Sequence, residues 1–123
     1  MDVLVDTSVW VDHFRNTNAE LVVRLSQDLV LMHPFVLAEL DCGTPPAPRK
    51  RTLSNLGLLR PCREASQSEL LEFIERERLY GLGCGMVDLA LLASALITPD
   101  THLWTMDKRL FDLASRFGMA WRS

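Results

Sequence analysis

The sequence lacks any hydrophobic run long enough to cross a membrane. Among its 123 residues, no apolar stretch reaches the roughly 18 residues that a membrane-spanning helix requires. An acidic residue and an aliphatic segment follow Met1 directly, so no signal peptide is expected either. A chain of this length with 48% hydrophobic residues predicts a single globular domain over residues 1–123, which we expect in the cytosol.

Cysteine is also scarce. The three cysteines, Cys42, Cys62 and Cys84, are odd in number and far apart in the sequence. They lack the close pairs that form a zinc site, and a cytosolic compartment disfavours disulfides. We therefore expect ordinary thiols at all three positions.

The sequence has no excess of positive charge. Thirteen lysine and arginine residues stand against sixteen acidic ones, which gives a net charge of −3. A protein that binds nucleic acid through bulk electrostatics alone would be basic overall. Bound divalent cations can offset an acidic excess locally, so nucleic-acid binding is not excluded.

The hydrophobic pattern is that of an α/β fold. Aliphatic runs suited to buried strands occur at 3–5, 29–32 and 102–105, with minor candidates at 58–61 and 119–121. Segments with helical spacing and helix-capping residues separate these runs. The alternation predicts a three-layer α/β/α domain, in which helices cover both faces of a mainly parallel sheet of four to five strands.

Four acidic residues stand where a purely structural chain rarely places them. Asp6 ends the first strand, and Glu39 interrupts an apolar helical run. Asp88 begins the most hydrophobic helix, and Asp107 begins the last one. None of the four has a lysine or arginine three or four residues away, where an ion pair within a helix would form. Because burying an unpaired carboxylate is costly, these acids need a distant partner, a proton or a metal ion.

Each acid also has a structural explanation. Taken singly, Asp6, Asp88 and Asp107 are better explained as helix caps or first-turn acids, and Glu39 could reach the surface. The joint pattern favours a site, because the carboxyl edge of one parallel sheet can bring all four side chains together. Clustered carboxylate oxygens are the ligands that Mg²⁺ and Mn²⁺ prefer.

The segments around these acids resemble the four acidic motifs of PIN-domain ribonucleases. In chain order they are Leu4–Asp12 (LVDTSVWVD), His33–Glu39 (HPFVLAE), Gly85–Ala95 (GMVDLALLASA) and Leu103–Leu110 (LWTMDKRL). Each motif is weak by itself, but the ordered set of four is specific and spans essentially the whole chain. It is most similar to the VapC-like toxins of bacterial toxin–antitoxin pairs.

The resemblance implies a metal-dependent endoribonuclease, usually a homodimer, that is neutralised by a small antitoxin. A water activated by Mg²⁺ or Mn²⁺ would hydrolyse the RNA phosphodiester. Asp6 and Asp88 would be the principal metal ligands, and Glu39 and Asp107 would complete the cluster. The positions where the family keeps small hydroxyl residues correspond to Thr7 and Thr105.

Clustered basic residues are candidates for contacts with RNA phosphates. Arg49, Lys50 and Arg51 form a run on a predicted helix, while Arg15 and Lys108 lie nearer the predicted acids. Such contacts position RNA without reading its sequence. A solvated helix face is the alternative explanation for these residues.

Two other functions remain open at this stage. Asp6, at the end of a strand, could be the nucleophile of an aspartyl phosphotransferase, although the second aspartate expected two residues later is Ser8. A non-catalytic module that keeps the fold and binds a partner is the other possibility, although acids at all four positions argue against it.

Overall fold

The sheet at the centre of the protein contains four parallel strands in the order β3-β2-β1-β4. In this computed structural model, which describes residues 1–122, they are Asp2–Val5 (β1), Val30–Met32 (β2), Arg60–Pro61 (β3) and Thr101–Trp104 (β4). Val3 of β1 lies opposite Val30 of β2 on one side and His102 of β4 on the other. The parallel sheet predicted from the sequence is confirmed.

The first strand lies in the middle of this sheet. Its residues Val3, Leu4 and Val5 are completely buried. Because consecutive strand residues point to opposite faces of a sheet, burial of all three means that both faces are covered.

Helices form the two covering layers. Their bounds are Thr7–Arg15 (α1), Ala19–Ser26 (α2), Pro34–Cys42 (α3), Arg49–Leu56 (α4), Gln67–Glu77 (α5), Met86–Ile97 (α6) and Lys108–Arg116 (α7). Helix α6 contacts β4 and α5, while α3 contacts α1 and α4. The three-layer α/β/α prediction is therefore confirmed.

The most hydrophobic helix, α6, runs through the interior. Every residue from Leu89 to Ala95 is buried, as expected for a helix that is apolar on nearly all sides. The buried hydroxyl of Ser94 accepts the Ala65 N–H at 3.1 Å, so the polar group in this helix is paired. No helix within residues 1–122 is long and apolar enough to span a membrane.

Two predicted segments form less structure than their pattern indicated. The strand β3 contains only Arg60 and Pro61, and it lies at the edge of the sheet, where proline is tolerated. The segment at 119–121 forms one parallel bridge, between Leu103 and Ala120, rather than a full edge strand. It still lies along the outer edge of β4.

Replacing Leu4 with alanine tests how much stability the centre of the sheet supplies. Truncation of a fully buried leucine leaves a cavity, so we expect the free energy of unfolding to fall by about 2–5 kcal/mol in a urea titration. Leu58→Ala is the control, because Leu58 is 83% exposed and its truncation should change stability by less than about 0.5 kcal/mol. Equal losses in the two variants would contradict the assignment of Leu4 to the core.

Candidate active site

Asp6 connects the central strand to the first helix. It follows β1 directly, its backbone N–H donates to the Trp104 carbonyl oxygen at 3.0 Å, and it is only 4% exposed. Its Oδ1 atom accepts the Val9 N–H at 3.2 Å and so caps α1. The interpretation of Asp6 as a helix cap is therefore correct, but the cap uses only part of the carboxylate.

Two hydroxyl groups also bind the Asp6 carboxylate. Ser8 Oγ donates to Oδ1 at 2.6 Å, and Thr105 Oγ1 donates to Oδ2. Each hydroxyl in turn accepts a backbone N–H from the turn after β4. Ser8 accepts that of Met106 at 2.9 Å, and Thr105 accepts that of Asp107 at 3.0 Å. The ends of β1 and β4 are thus joined through Asp6.

Glu39 and Asp107 are exposed acids beside this junction. Thr7 Oγ1, at the start of α1, donates to Glu39 Oε1 at 2.6 Å and links α1 to α3. Asp107 Oδ1 accepts the Leu110 N–H at 2.9 Å and caps α7. The two threonines singled out in the sequence, Thr7 and Thr105, therefore each contact one of the acids.

Asp88 is the third residue of α6 and is half-buried. The N-cap of this helix is Gly85, which makes no side-chain cap bond, so Asp88 is an acid of the first turn rather than the cap. Burial raises the pKa of Asp88, and the negative charges of the other three acids raise it further, against the opposing effect of the Gly85 backbone. The other three acids therefore all lie near enough to Asp88 to act on it electrostatically.

The donor chemistry of this cluster fits a hard divalent cation. Carboxylate oxygens are the ligand type that Mg²⁺ and Mn²⁺ prefer, and burial raises the pKa of Asp6 despite its hydrogen bonds. As they stand, however, no three acidic, histidine or cysteine side chains within residues 1–122 lie close enough together to hold an ion. Carboxylates that no cation screens repel one another. To bind one cation jointly, these side chains would have to move closer together.

The acids lie where the strand order of the sheet reverses. From β1 the sheet extends through β2 and β3 on one side, and β4 lies on the other side. Open parallel sheets bind ligands outside the carboxyl ends of their strands at such a point. Asp6 follows β1 and Asp107 follows the end of β4, so the two acids flank this position.

A cavity of about 260 Å³ adjoins the acids on the Glu39 side. Phe14 and Arg15 at the end of α1, and Pro45 and Pro46 in the loop after α3, form much of its wall. In the described part of the chain, Arg15 has no ion-pair partner. The structure therefore places one of the predicted basic residues on the wall of the same cavity as one of the predicted acids.

The other predicted RNA contacts differ in whether another residue of the chain already pairs with them. Arg49 pairs with the Asp41 carboxylate and also donates to the Asp41 carbonyl oxygen at 2.7 Å. Lys50 and Arg51 are exposed on α4, and Lys108 is the exposed first residue of α7. Arg49 is thus partly neutralised within the chain, whereas the other three side chains are exposed to solvent.

Sequence reasoning missed the role of Ser8. A hydroxyl two residues after a strand-end aspartate can fold back on that carboxylate, and this was the local signal for it. Its second partner, the Met106 N–H, lies 98 residues further along the chain, and no local pattern indicates that contact.

No family model matches the chain. Two curated relatives do, both named Ribonuclease VapC32, from the CDC 1551 / Oshkosh and ATCC 25618 / H37Rv strains of Mycobacterium tuberculosis. Each is 39% identical to this chain over 118 residues, which cover 96% of the chain and 94% of the relative. The chain belongs to the VapC ribonuclease family.

A solved structure has the same fold as this VapC-family ribonuclease. The 2.2 Å structure of VapBC-1 from nontypeable Haemophilus influenzae matches it with a TM-score of 0.71 and 18% sequence identity. The match covers 100% of this chain and 98% of that one. At this level of identity the likeness supports the α/β/α fold alone.

Membership of the VapC family confirms the resemblance seen in the four acidic motifs, and with it the prediction of a ribonuclease. The alternative of an aspartyl phosphotransferase finds no support. Asp6 is buried, and both of its carboxylate oxygens already accept hydrogen bonds, which is a poor arrangement for a nucleophile.

Replacing Asp88 with asparagine tests the electrostatic cost of grouping the acids. The pKa of Asp88 is raised in the folded protein, so folded-state stability falls as the pH rises from the ordinary carboxyl range through this raised pKa. Asparagine does not ionise and escapes this loss. We therefore expect metal-free Asp88→Asn to melt at a higher temperature than the wild type at neutral pH, with a gain that shrinks as the solution is acidified.

Thermal unfolding followed by circular dichroism, in the presence of EDTA, measures this difference. Asp112→Asn is the matched control, because Asp112 is an exposed acid on α7. A melting temperature of Asp88→Asn at or below that of the wild type at neutral pH would contradict the electrostatic cost.

Proposed function

We propose that this ribonuclease is the metal-dependent toxin of a toxin–antitoxin pair and that it cleaves RNA phosphodiesters with Mg²⁺ or Mn²⁺. The observation that carries the proposal is the grouping of Asp88 with Glu39 and with the acids that follow β1 and β4, since these three acids raise the pKa of Asp88. The relatives from M. tuberculosis are named as ribonucleases, which supports RNA as the substrate.

In this proposal Asp6 and Asp88 are the principal ligands of the cation, and Glu39 and Asp107 complete the cluster. When bound, the cation lowers the pKa of a water molecule and offsets charge on the phosphodiester. The protein holds the ligands in place: Asp6 through its cap and hydroxyl contacts, Glu39 through Thr7, and Asp107 through the start of α7.

A cation at this edge also explains how an acidic chain can bind RNA. The net charge of −3 gives no general attraction for a polyanion. A divalent ion among the acids offsets part of the local negative charge where the phosphate must approach. Basic side chains are then needed only to position the strand on either side.

We propose Arg15 as the main phosphate contact, because it lines the same cavity as Glu39 and no described residue pairs with it. The further proposed contacts are Lys50, Arg51 and Lys108. Arg49 contributes less, because it already pairs with Asp41. These contacts position RNA and carry no sequence preference.

We further propose that the chain forms one domain, acts in the cytosol as a homodimer and is neutralised by an antitoxin. The neighbouring Haemophilus structure is that of VapBC-1, which supports the antitoxin partner. Large apolar side chains that are exposed on several elements are candidates for protein–protein contacts. They include Val22, Val23, Leu71, Tyr80 and Met86.

Asparagine at Asp6 or at Asp88 tests the metal cluster. Loss of an outer partner of a metal ligand typically lowers activity about 10–100-fold, so loss of a direct ligand should lower it by at least about 100-fold. The assay is Mg²⁺- or Mn²⁺-dependent cleavage of RNA, with EDTA added to the wild type as the metal-free reference. Asp112→Asn is again the control and should cleave normally. Full activity in Asp88→Asn, or wild-type cleavage in EDTA, would refute the proposal.

Alanine at Arg15 tests the phosphate contact. Each phosphate contact with a single strand contributes about 0.7 to the slope of the logarithm of affinity against the logarithm of salt concentration. We expect RNA binding by Arg15→Ala to be weaker and its slope to be flatter by about that amount, as measured by fluorescence anisotropy. Arg76→Ala on α5 is the control and should keep the wild-type slope. An unchanged slope in Arg15→Ala would remove this residue from the interface.

A further inference from the structure

We propose that Ser8 is a positioning residue that prepares the acidic site for its cation. Ser8 is not one of the four acids, and it acts through Asp6 and through the turn that carries Asp107. The inference rests on the proposed metal-dependent function, because it concerns how the ligands of that cation are held.

The Ser8 hydroxyl connects two distant parts of the site. It donates to Asp6 Oδ1 at 2.6 Å and accepts the Met106 N–H at 2.9 Å. Met106 directly precedes Asp107 in the turn between β4 and α7. One hydroxyl group therefore contacts both the Asp6 carboxylate and the backbone from which the Asp107 side chain extends.

The hydrogen bonds on Asp6 show which of its oxygens is left for a ligand. Oδ1 accepts two hydrogen bonds, from Ser8 and from the Val9 N–H, while Oδ2 accepts one, from Thr105. An ionised carboxylate has about four lone-pair sites, two on each oxygen. With the bond from Ser8, both lone-pair sites of Oδ1 are occupied. The acceptor site that remains for a ligand is therefore on Oδ2.

The contacts of Ser8 separate this role from that of a helix cap. The cap of α1 is the bond from the Val9 N–H to Asp6, and Ser8 takes no part in it. Loss of the Ser8 hydroxyl leaves that bond intact but removes one of the two hydrogen bonds on Oδ1 and the acceptor of the Met106 N–H. The expected result is a folded protein in which the Asp6 carboxylate is held by fewer bonds and the turn before Asp107 is less constrained.

The test is Mn²⁺ binding by isothermal titration calorimetry to the wild type, Ser8→Ala and Ser8→Thr. Loss of an outer partner typically weakens metal affinity about 10–100-fold, and we expect a loss of this size in Ser8→Ala. The Mn²⁺ concentration for half-maximal RNA cleavage should rise in parallel. Ser8→Thr retains the hydroxyl and should restore most of the affinity.

The matched control is Ser115→Ala. Ser115 is also half-buried, and its hydroxyl donates to the Phe111 carbonyl oxygen at 2.8 Å within α7. Its loss should leave Mn²⁺ affinity unchanged. Circular dichroism and thermal unfolding establish that each variant is folded at the temperature of the titration.

Three outcomes would overturn the inference, and they can be told apart. Wild-type Mn²⁺ affinity in folded Ser8→Ala would refute the role of Ser8 while leaving the metal-dependent function in place. A loss that Ser8→Thr fails to restore would assign Ser8 a packing role rather than a hydrogen-bonding one. Absence of Mn²⁺ binding by the wild type, with RNA cleavage that persists in EDTA, would refute the proposed function and this inference together.

Discussion

The hydrogen bonds around the Asp6 carboxylate hold together the part of the fold on which the site depends. A buried carboxylate costs several kcal/mol unless hydrogen bonds compensate for the lost water. Asp6 receives such bonds from Ser8, Val9 and Thr105, which belong to α1 and to the end of β4. The hydrogen bonds that hold Asp6 at the edge of the core therefore also position the start of α1 and the turn that leads to Asp107.

The same junction keeps like charges near one another. Burial and the neighbouring acids raise the pKa of Asp88, so the site lowers the stability of the metal-free protein at neutral pH. The stability that offsets this cost comes from elsewhere, chiefly from the buried residues of β1 and of α6. A local arrangement that opposes stability is expected at a functional site, and a bound cation would relieve it.

Much of the fold could be predicted from local patterns. Short aliphatic runs between helical segments were enough to predict a parallel α/β/α arrangement, and helix-capping residues such as Ser66, which forms a capping box with Glu69, marked where helices begin. The sequence left the role of Asp88 open, because two local structures share one signal. An acid at the start of a helix is favoured both as a cap and in the first turn, so the sequence did not show that Gly85 rather than Asp88 caps α6.

By itself the sequence determined the fold class, the family and the four acidic positions, because periodicity and short motifs carry that information. Only the tertiary structure decided how the acids are held and which basic residue adjoins them. The Ser8 hydroxyl meets the Met106 N–H because β1 and β4 pair in register, and Arg15 reaches the cavity beside Glu39 because α1 packs on α3. Such contacts join segments far apart in the chain, and they form only when the sheet and its helices are assembled.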